Sequence, residues 1–208
     1  VIGTVEYRFA GETRPAPHTP PQSLDLQRLR RRMRDAGCDC CAMEVSSHAL
    51  TQERVAGCRF DAAIFTNLSP EHLDYHGDME SYFAAKAILF ERTLEEGGKP
   101  RAAAVINADD PFGAELMRRS SAPVVRYGLE QAAEVRGTAL SLKDGGGIRM
   151  TFETPAGCFK MRSPLCGRFN AQNMLAAAAA AFAMGSGTDV ARDGLEALAV
   201  VPGRFEAV

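Results

Sequence analysis

The sequence predicts an α/β fold: a mostly parallel sheet flanked by helices, with a small additional antiparallel sheet. Three observations predict it. Cys40–Val45, Phe60–Thr66 and Ala102–Ile106 are short apolar runs with little alternation, as expected of strands buried on both faces. Segments with helical signals lie between and around these runs, as parallel connections require. After Pro123, four strand-like stretches follow in quick succession, which suits antiparallel pairing.

The elements follow in order along the chain. Val1–Phe9 alternates weakly and suits a strand, and the prolines from Pro15 to Pro21 then forbid a helix interior. Ser23 offers an N-cap, Asp25 suits the first turn, and Leu26, Leu29, Met33 and Ala36 recur at helical spacing before Gly37 ends the helix. Ser46–Val55 reads as helical, and Asp78 caps a helix carrying Tyr82, Phe83 and Leu89. Asn107, Asp109 and Asp110 close the Ala102–Ile106 strand. Beyond Pro123, Val124–Tyr127, Glu134–Leu142, Ile148–Thr154 and Cys158–Arg162 are the strand-like stretches, with a hairpin turn at Gly145–Gly147. Asn170–Met184 is a strong helix, since Ala176–Ala181 both favours helix and permits close packing. A last helix begins at Asp189 and ends near Val200, and Pro202-Gly203 opens a loop.

Composition narrows the class. The chain has 208 residues, 46% hydrophobic and 24% charged, with net charge -2, which is ordinary globular composition. No apolar run approaches the roughly 18 residues that span a bilayer, and no basic excess points to nucleic acid. The arginines Arg28, Arg30, Arg31, Arg32 and Arg34 occupy the faces left over by the apolar stripe of their helix, so they read as a solvated surface. Nothing at the start resembles a signal peptide, and the six cysteines read as reduced thiols of a cytoplasmic protein. Cys38 and Cys41 have C-x-x-C spacing without a second pair, so buried, unreactive thiols are expected. Both ends look cut, and the chain is expected to be an excerpt of a longer protein.

The densest polar cluster lies between Met43 and Lys86. Glu44, Ser46, Ser47 and His48 follow one expected strand, and Thr66, Asn67 and Ser69 follow the next. In open parallel sheets, ligands bind beyond the carboxyl ends of strands. Glu71-His72-Leu73-Asp74-Tyr75-His76-Gly77 then supplies a loop of metal-ligand types, although Gly77 and Asp78 put His72 and His76 ahead of a helix rather than on one face of it. The alternative is a set of solvated loop residues that cap helices.

These residues also carry a resemblance. Met43-Glu44-Val45-Ser46-Ser47-His48, Thr66-Asn67-Leu68-Ser69, His72-Leu73-Asp74-Tyr75-His76-Gly77, and Tyr82 with Ala85-Lys86 resemble the central domain of Mur ligases. Leu73-Asp74-Tyr75-His76-Gly77 is similar to the MurE type, the UDP-N-acetylmuramoyl-tripeptide synthetases. Gly167-Arg168-Phe169-Asn170 with Asn173, and Pro202-Gly203-Arg204-Phe205-Glu206, resemble later motifs, so the similarity spans nearly the whole chain.

The resemblance implies a central ATP-binding domain over residues 1–208, truncated at its N-terminus and without its uridine-binding and amino-acid-binding neighbours. It implies a cytoplasmic, monomeric ligase that adds meso-diaminopimelate or L-lysine to UDP-N-acetylmuramoyl-L-alanyl-D-glutamate through an acyl phosphate. Its cofactors would be ATP, Mg2+ and a carbamylated Lys86; it would bind no nucleic acid and no membrane. Glu44 and His72 match magnesium-site residues, and Lys86 matches the carbamylated lysine. Thr19, Pro20, Ser46, Gln52 and Arg54 match the region contacting the UDP-muramoyl-dipeptide, although Thr19-Pro20-Pro21 stands where relatives often have T-T-P. Asn67, Asn170, Asn173 and Arg204 match ATP-binding positions. The G-T-N-G-K-T loop that precedes Ile2-Gly3-Thr4 in the family is not in this sequence, and the excerpt alone is expected to be inactive. A folylpolyglutamate- or cyanophycin-type synthetase, or a non-catalytic remnant of the fold, are the alternatives. Against them stand the Leu73–Gly77 loop and the joint presence of Glu44, His72 and Lys86.

Overall fold

The structure is a computed structural model describing residues 1–143 and 147–198. The chain divides into two compact units: Val1–Cys58 with Pro70–Leu89, and Arg59–Ser69 with Phe90–Val208.

The first unit opens with strands β1 (Glu6–Phe9) and β2 (Glu12–Pro15), an antiparallel pair joined through Ala10 and Gly11. Only part of Val1–Phe9 is therefore a strand, and its partner begins just ahead of the prolines. Helix α1 (Ser23–Asp35) buries Leu26, Leu29 and Met33. Its cap is Gln22 rather than Ser23, without a side-chain cap bond; Ser23 is already inside the first turn. It ends as Gly37 predicts: Gly37 has φ +82°, its N–H bonds Arg34 O, and the Cys38 N–H bonds Met33 O. Arg28, Arg31, Arg32 and Arg34 are solvated, with Arg28 paired to Asp25, Arg31 to Asp35 and Arg32 to Glu12, but Arg30 is half-buried and donates to Gln27 Oε1 at 3.1 Å and Cys58 Sγ at 3.5 Å.

Cys40–Val45 does not form the expected buried strand. Residues 40–42 are exposed, and a single parallel bridge joins Met43 to Ile2. A ladder needs a partner that runs alongside, but the segment after Ile2 turns back at once, the Gly3 N–H bonding Glu6 O at 3.0 Å. Cys40 and Cys41 are accordingly exposed and Cys38 half-buried, against the expectation of buried thiols; Cys58 is buried. Helix α2 (Ser47–Thr51) is shorter than the expected Ser46–Val55. Helix α3 (Leu73–His76) is a single turn, and α4 (Met79–Ile88) starts at Asp78, whose carboxylate accepts the Ser81 N–H at 2.7 Å. A π-helical turn, Leu89–Thr93, continues α4 into the short α5 (Leu94–Glu96).

The second unit is built on a six-stranded sheet in the order β3 (Ala62–Phe65), β4 (Ala103–Asn107), β5 (Val124–Gly128), β6 (Val135–Lys143), β7 (Gly147–Thr154), β8 (Gly157–Ser163). β3 through β6 pair in parallel, and β6, β7 and β8 are antiparallel. The antiparallel strands thus extend the parallel sheet, and β5, expected among them, is a parallel strand. The expected turn residues Gly145 and Gly146 lie outside the described residues, flanked by the pairing of Lys143 with Gly147. Every residue of β4 is buried, as its unbroken apolar run requires.

Helix α7 (Arg168–Ala183) lies across the sheet from β3 to β7. Its alanines Ala171, Ala178 and Ala179 pack in one core with Val105, Tyr127, Phe152 and Leu175. Gly137 allows this approach, since a Cβ there would lie 2.9 Å from Leu175 and 2.5 Å from the Met150 sulfur. Helix α8 (Thr188–Glu196) packs on β8 and α7. Helix α6 (Pro111–Arg119), between β4 and β5, has no counterpart in the sequence expectation. Gly113 weakens its helical signal, whereas Pro111 at the first helical position and Asp110 as the cap, accepting the Phe112 N–H at 2.9 Å, are start signals that the sequence expectation passed over. Among the described residues, no helix is long and apolar enough to cross a membrane.

One ion pair ties β5 to the start of β6 and makes stability depend on pH. The Glu134 carboxylate accepts the Arg126 backbone N–H at 2.8 Å and pairs with its guanidinium. The Arg126 hydrogen bond holds the carboxyl below its ordinary value of 4.5, burial opposing. The folded pKa is thus below the unfolded one, so the stabilisation is present above pH 4.5 and is lost as pH falls through the depressed value. Glu134→Gln is expected to lower the melting temperature at pH 7 and to close the gap to the parent at acid pH. An equal gap at both pH values would contradict this account.

Candidate functional site

The first unit gathers most of the predicted residues. Ser46 caps α2 by accepting the Ala49 N–H at 3.2 Å, and its hydroxyl donates to Thr19 O at 2.9 Å. Thr19 in turn donates to Gly3 O at 3.3 Å, and the Thr19–Pro20 peptide is cis. The Arg54 guanidinium donates to Pro20 O at 3.3 Å and to Gln52 Oε1 at 2.9 Å and 2.6 Å. Thr19, Pro20, Ser46, Gln52 and Arg54 therefore form one connected hydrogen-bonded group. The sequence placed them in segments more than twenty residues apart. Tyr7, which sequence spacing did not single out, joins them through its hydroxyl bond to His18 O.

A second group surrounds His72. His48, His72 and His76 meet ring to ring, with centroids 4.9 Å apart for His48–His72 and 5.4 Å for His48–His76. Tyr75 packs on His48 at 4.1 Å, and Tyr82 stacks on His76 at 5.2 Å. The His76 Nε2 and Ser47 Oγ are hydrogen-bonded at 2.8 Å. Burial, then the neighbouring imidazoles, holds His76 below the usual histidine range; burial and then His72 do the same for His48. Both rings are thereby kept neutral near pH 7. His72 itself is exposed, with φ +58° at the start of the α3 turn, and its carbonyl accepts the His76 N–H at 3.0 Å. The spacing of His72 and His76 is thus that of one helical turn, closer to helical than the sequence suggested.

Lys86 lies in the last turn of α4, half-buried, with its Nζ 5.2 Å from the centre of the Tyr82 ring. Burial lowers its pKa, while the Glu71 and Glu44 carboxylates oppose that shift. Glu44 is exposed and accepts the Thr4 hydroxyl at 2.6 Å. Among the described residues, no three His, Cys, Asp or Glu side chains form a group that could hold a metal ion. A carbamate on Lys86 would add the oxygen donors that such a site lacks. Together with Glu44 and Glu71 it would concentrate oxygen donors and negative charge of the kind a divalent cation neutralises.

The remaining predicted residues belong to the second unit. Asn67 is exposed, just beyond β3. Asn170 is buried on the first turn of α7, where its amide donates to Cys166 O at 2.8 Å; the cap of the helix is Gly167. Asn173, one turn on, is exposed. Arg204 lies outside the described residues. Sequence reasoning assigned no role to Asp109, whose carboxylate accepts the N–H groups of Leu129, Glu130 and Gln131 at 2.7–3.0 Å. Gly128 is the residue that lets it approach: a Cβ there would lie 2.7 Å from Asp109 Oδ1. The adjacent Glu130 pairs with Arg168 on α7, joining that loop to the helix that carries both asparagines. The only prior signal was Asn107, Asp109 and Asp110 clustered at a strand end.

Known proteins are similar to this chain in sequence and fold. The Mur ligase middle domain matches residues 1–181. The UDP-N-acetylmuramoyl-L-alanyl-D-glutamate–2,6-diaminopimelate ligase of Geobacter metallireducens is 53% identical over 209 residues, covering 100% of this chain and 41% of that protein. The enzyme of the same name from Geobacter sulfurreducens is 50% identical, with the same 100% and 41% coverage. A solved structure of a UDP-N-acetylmuramoyl-L-alanyl-D-glutamate–2,6-diaminopimelate ligase superposes with a TM-score of 0.81 at 31% identity, over 94% of this chain and 40% of that one. The chain spans about two-fifths of the length of the curated relatives it matches. With the family match running through both compact units, from Ile2-Gly3-Thr4 into α7, the chain belongs to the Mur ligases by its middle domain.

Proposed function

We propose that the protein carrying this chain is an ATP-dependent ligase that joins diaminopimelate to UDP-N-acetylmuramoyl-L-alanyl-D-glutamate in peptidoglycan synthesis, and that the chain is its central domain. The observation that carries the reading is alignment over the whole of this chain, at 50% identity or better, with two relatives named for that substrate pair. In the reaction, a substrate carboxylate takes the γ-phosphoryl of ATP, and the amine of the incoming amino acid displaces phosphate to form the amide. Glu44, His72 and a carbamylated Lys86 would hold magnesium, which when bound neutralises charge on the transferred phosphoryl group. Arg54, oriented by Gln52 and Pro20 O, presents a fixed guanidinium to the anionic UDP-muramoyl-dipeptide, with Thr19 and Ser46 shaping the same wall. Neutral His48 and His76 add no positive charge and brace the Tyr82 ring against Lys86. Asn67, Asn170, Asn173 and Arg204 serve the nucleotide.

In the full-length ligase, formation of ADP should require both the UDP-muramoyl-dipeptide and diaminopimelate. Equal turnover with L-lysine would overturn the choice of amino acid. Arg54→Ala should raise KM for the UDP-muramoyl substrate roughly ten- to hundredfold, the worth of a charge-assisted hydrogen bond, with a much smaller effect on KM for ATP. An unchanged substrate KM would contradict the role given to Arg54.

The two asparagines of α7 should separate. Asn170→Ala removes a buried donor bonded to Cys166 O and should cost about 1 kcal/mol of stability. Asn173→Ala, at an exposed position, should leave the melting temperature unchanged and raise KM for ATP. Loss of stability in both variants with no change in ATP affinity would remove them from the nucleotide site.

A further inference from the structure

The backbone leaving β3 is held by side chains from its neighbour β4, from β5 beyond it, and from the turn after β4. The Tyr127 hydroxyl, from β5, donates to Phe65 O at 3.0 Å. The Asn107 amide, at the end of β4, donates to Thr66 O at 2.7 Å. The Asp110 carboxylate accepts the Leu68 N–H at 3.0 Å through one oxygen and, through the other, the Phe112 N–H that starts α6. Asn107 is buried at 3% exposure, and its remaining amide oxygen accepts the Asp109 N–H at 3.0 Å. Asn67 stands between Thr66 and Leu68, so both of its flanking peptide groups are anchored while the residue itself stays exposed.

We propose that Asn107 and Asp110 are positioning residues for Asn67, fixing its backbone so that its side chain meets the nucleotide in one orientation. The inference rests on the reading of Asn67 as an ATP contact. Its physical basis is preorganisation. An irregular segment beyond a strand end has no ladder partners for its peptide groups, and unless side chains satisfy them the segment is free to fluctuate. A side chain on such a segment must be ordered when ligand binds, which weakens binding. Here the order is built in beforehand by groups about forty residues away in sequence.

The test uses the full-length ligase and near-isosteric changes. Asn107→Asp removes the donor to Thr66 O while keeping an acceptor for the Asp109 N–H. Asp110→Asn turns one of its two acceptor positions into a donor. Each variant should raise KM for ATP roughly tenfold with KM for the UDP-muramoyl substrate within twofold of the parent. Asn67→Ala should raise KM for ATP at least as much, and the double variant Asn67→Ala with Asn107→Asp should be no worse than Asn67→Ala alone, because the anchor then has nothing to position. Multiplying effects in the double variant would show that Asn107 acts by another route and overturn the proposal. So would an unchanged ATP KM in both anchor variants when Asn67→Ala is impaired. An unchanged ATP KM in Asn67→Ala would instead remove the nucleotide reading on which the proposal stands. Where Asn107→Asp fails to fold, Asn107→Ala removes the same donor without introducing charge, and the same comparison applies.

Discussion

Lys86→Ala in the full-length ligase is expected to reduce ligation by about a thousandfold or more, the several kcal/mol that charge stabilisation at a transferred phosphoryl supplies. Lys86 sits half-buried on α4, its ammonium disfavoured by burial, above the Tyr82 ring and within the influence of Glu44 and Glu71. An ordinary lysine amine, with a pKa of about 10.4, costs about 4.6 kcal/mol to neutralise at pH 7. Burial reduces that cost and favours the free amine that combines with carbon dioxide. If the working group is the carbamate, a small carboxylate such as formate should partly restore the alanine variant by replacing the missing anion. Glu44→Gln should not be rescued in this way at the same concentration, because its side-chain volume is retained. Full activity of Lys86→Ala without additive would show that Lys86 has no part in the reaction. Loss of activity in it without any response to formate, acetate or bicarbonate would leave the lysine essential and refute the carbamate.

Replacing Gly113 should strongly destabilise the fold. Gly113 lies in the first turn of α6, and a Cβ there would come 2.1 Å from the Asn107 carbonyl oxygen. The obstructing atom is backbone at the end of fully buried β4, so no side-chain rotation relieves it. Either α6 or the strand end must move, and overpacking of this kind costs about 3 kcal/mol or more. For a chain of 208 residues that corresponds to a fall in melting temperature of roughly 6–12 °C for Gly113→Ala. A change below about 2 °C would mean that α6 can shift freely and does not fix the strand end. Because Asn107 and Asp110 flank this contact, the variant should also raise KM for ATP if the anchor of Asn67 is displaced with it.

Much of the fold can be read from the sequence, and its legible parts share a physical cause. Helices α1, α4 and α7 rest on local signals: an apolar stripe with Gly37 behind it, the Asp78 cap, and a run of alanines. Buried β4 declares itself by unbroken apolar character. The candidate site residues in Met43–His48, Thr66–Ser69 and His72–Gly77 are legible because their polar and titratable groups are concentrated in contiguous motifs. Local propensity and motif spacing act within a few residues, and that is the range over which a sequence can be read directly.

Tertiary structure decided the rest, because the deciding partners are distant in the chain. Cys40–Val45 has the composition of a buried strand, yet Ile2 gives it one bridge and then turns away. β5 reads like the antiparallel strands after it, and its direction is set by pairing with β4, across α6. The group of Thr19, Pro20, Ser46, Gln52 and Arg54 is assembled by hydrogen bonds between segments far apart in sequence. The anchors on either side of Asn67 reach across 41 and 42 residues. By itself, the sequence determined the type of most elements, with Cys40–Val45 and α6 as exceptions, together with the family motifs and which residues carry reactive groups. Only the folded chain decided which backbone groups those side chains would satisfy, since a buried carbonyl or N–H takes whatever partner the packing brings within reach.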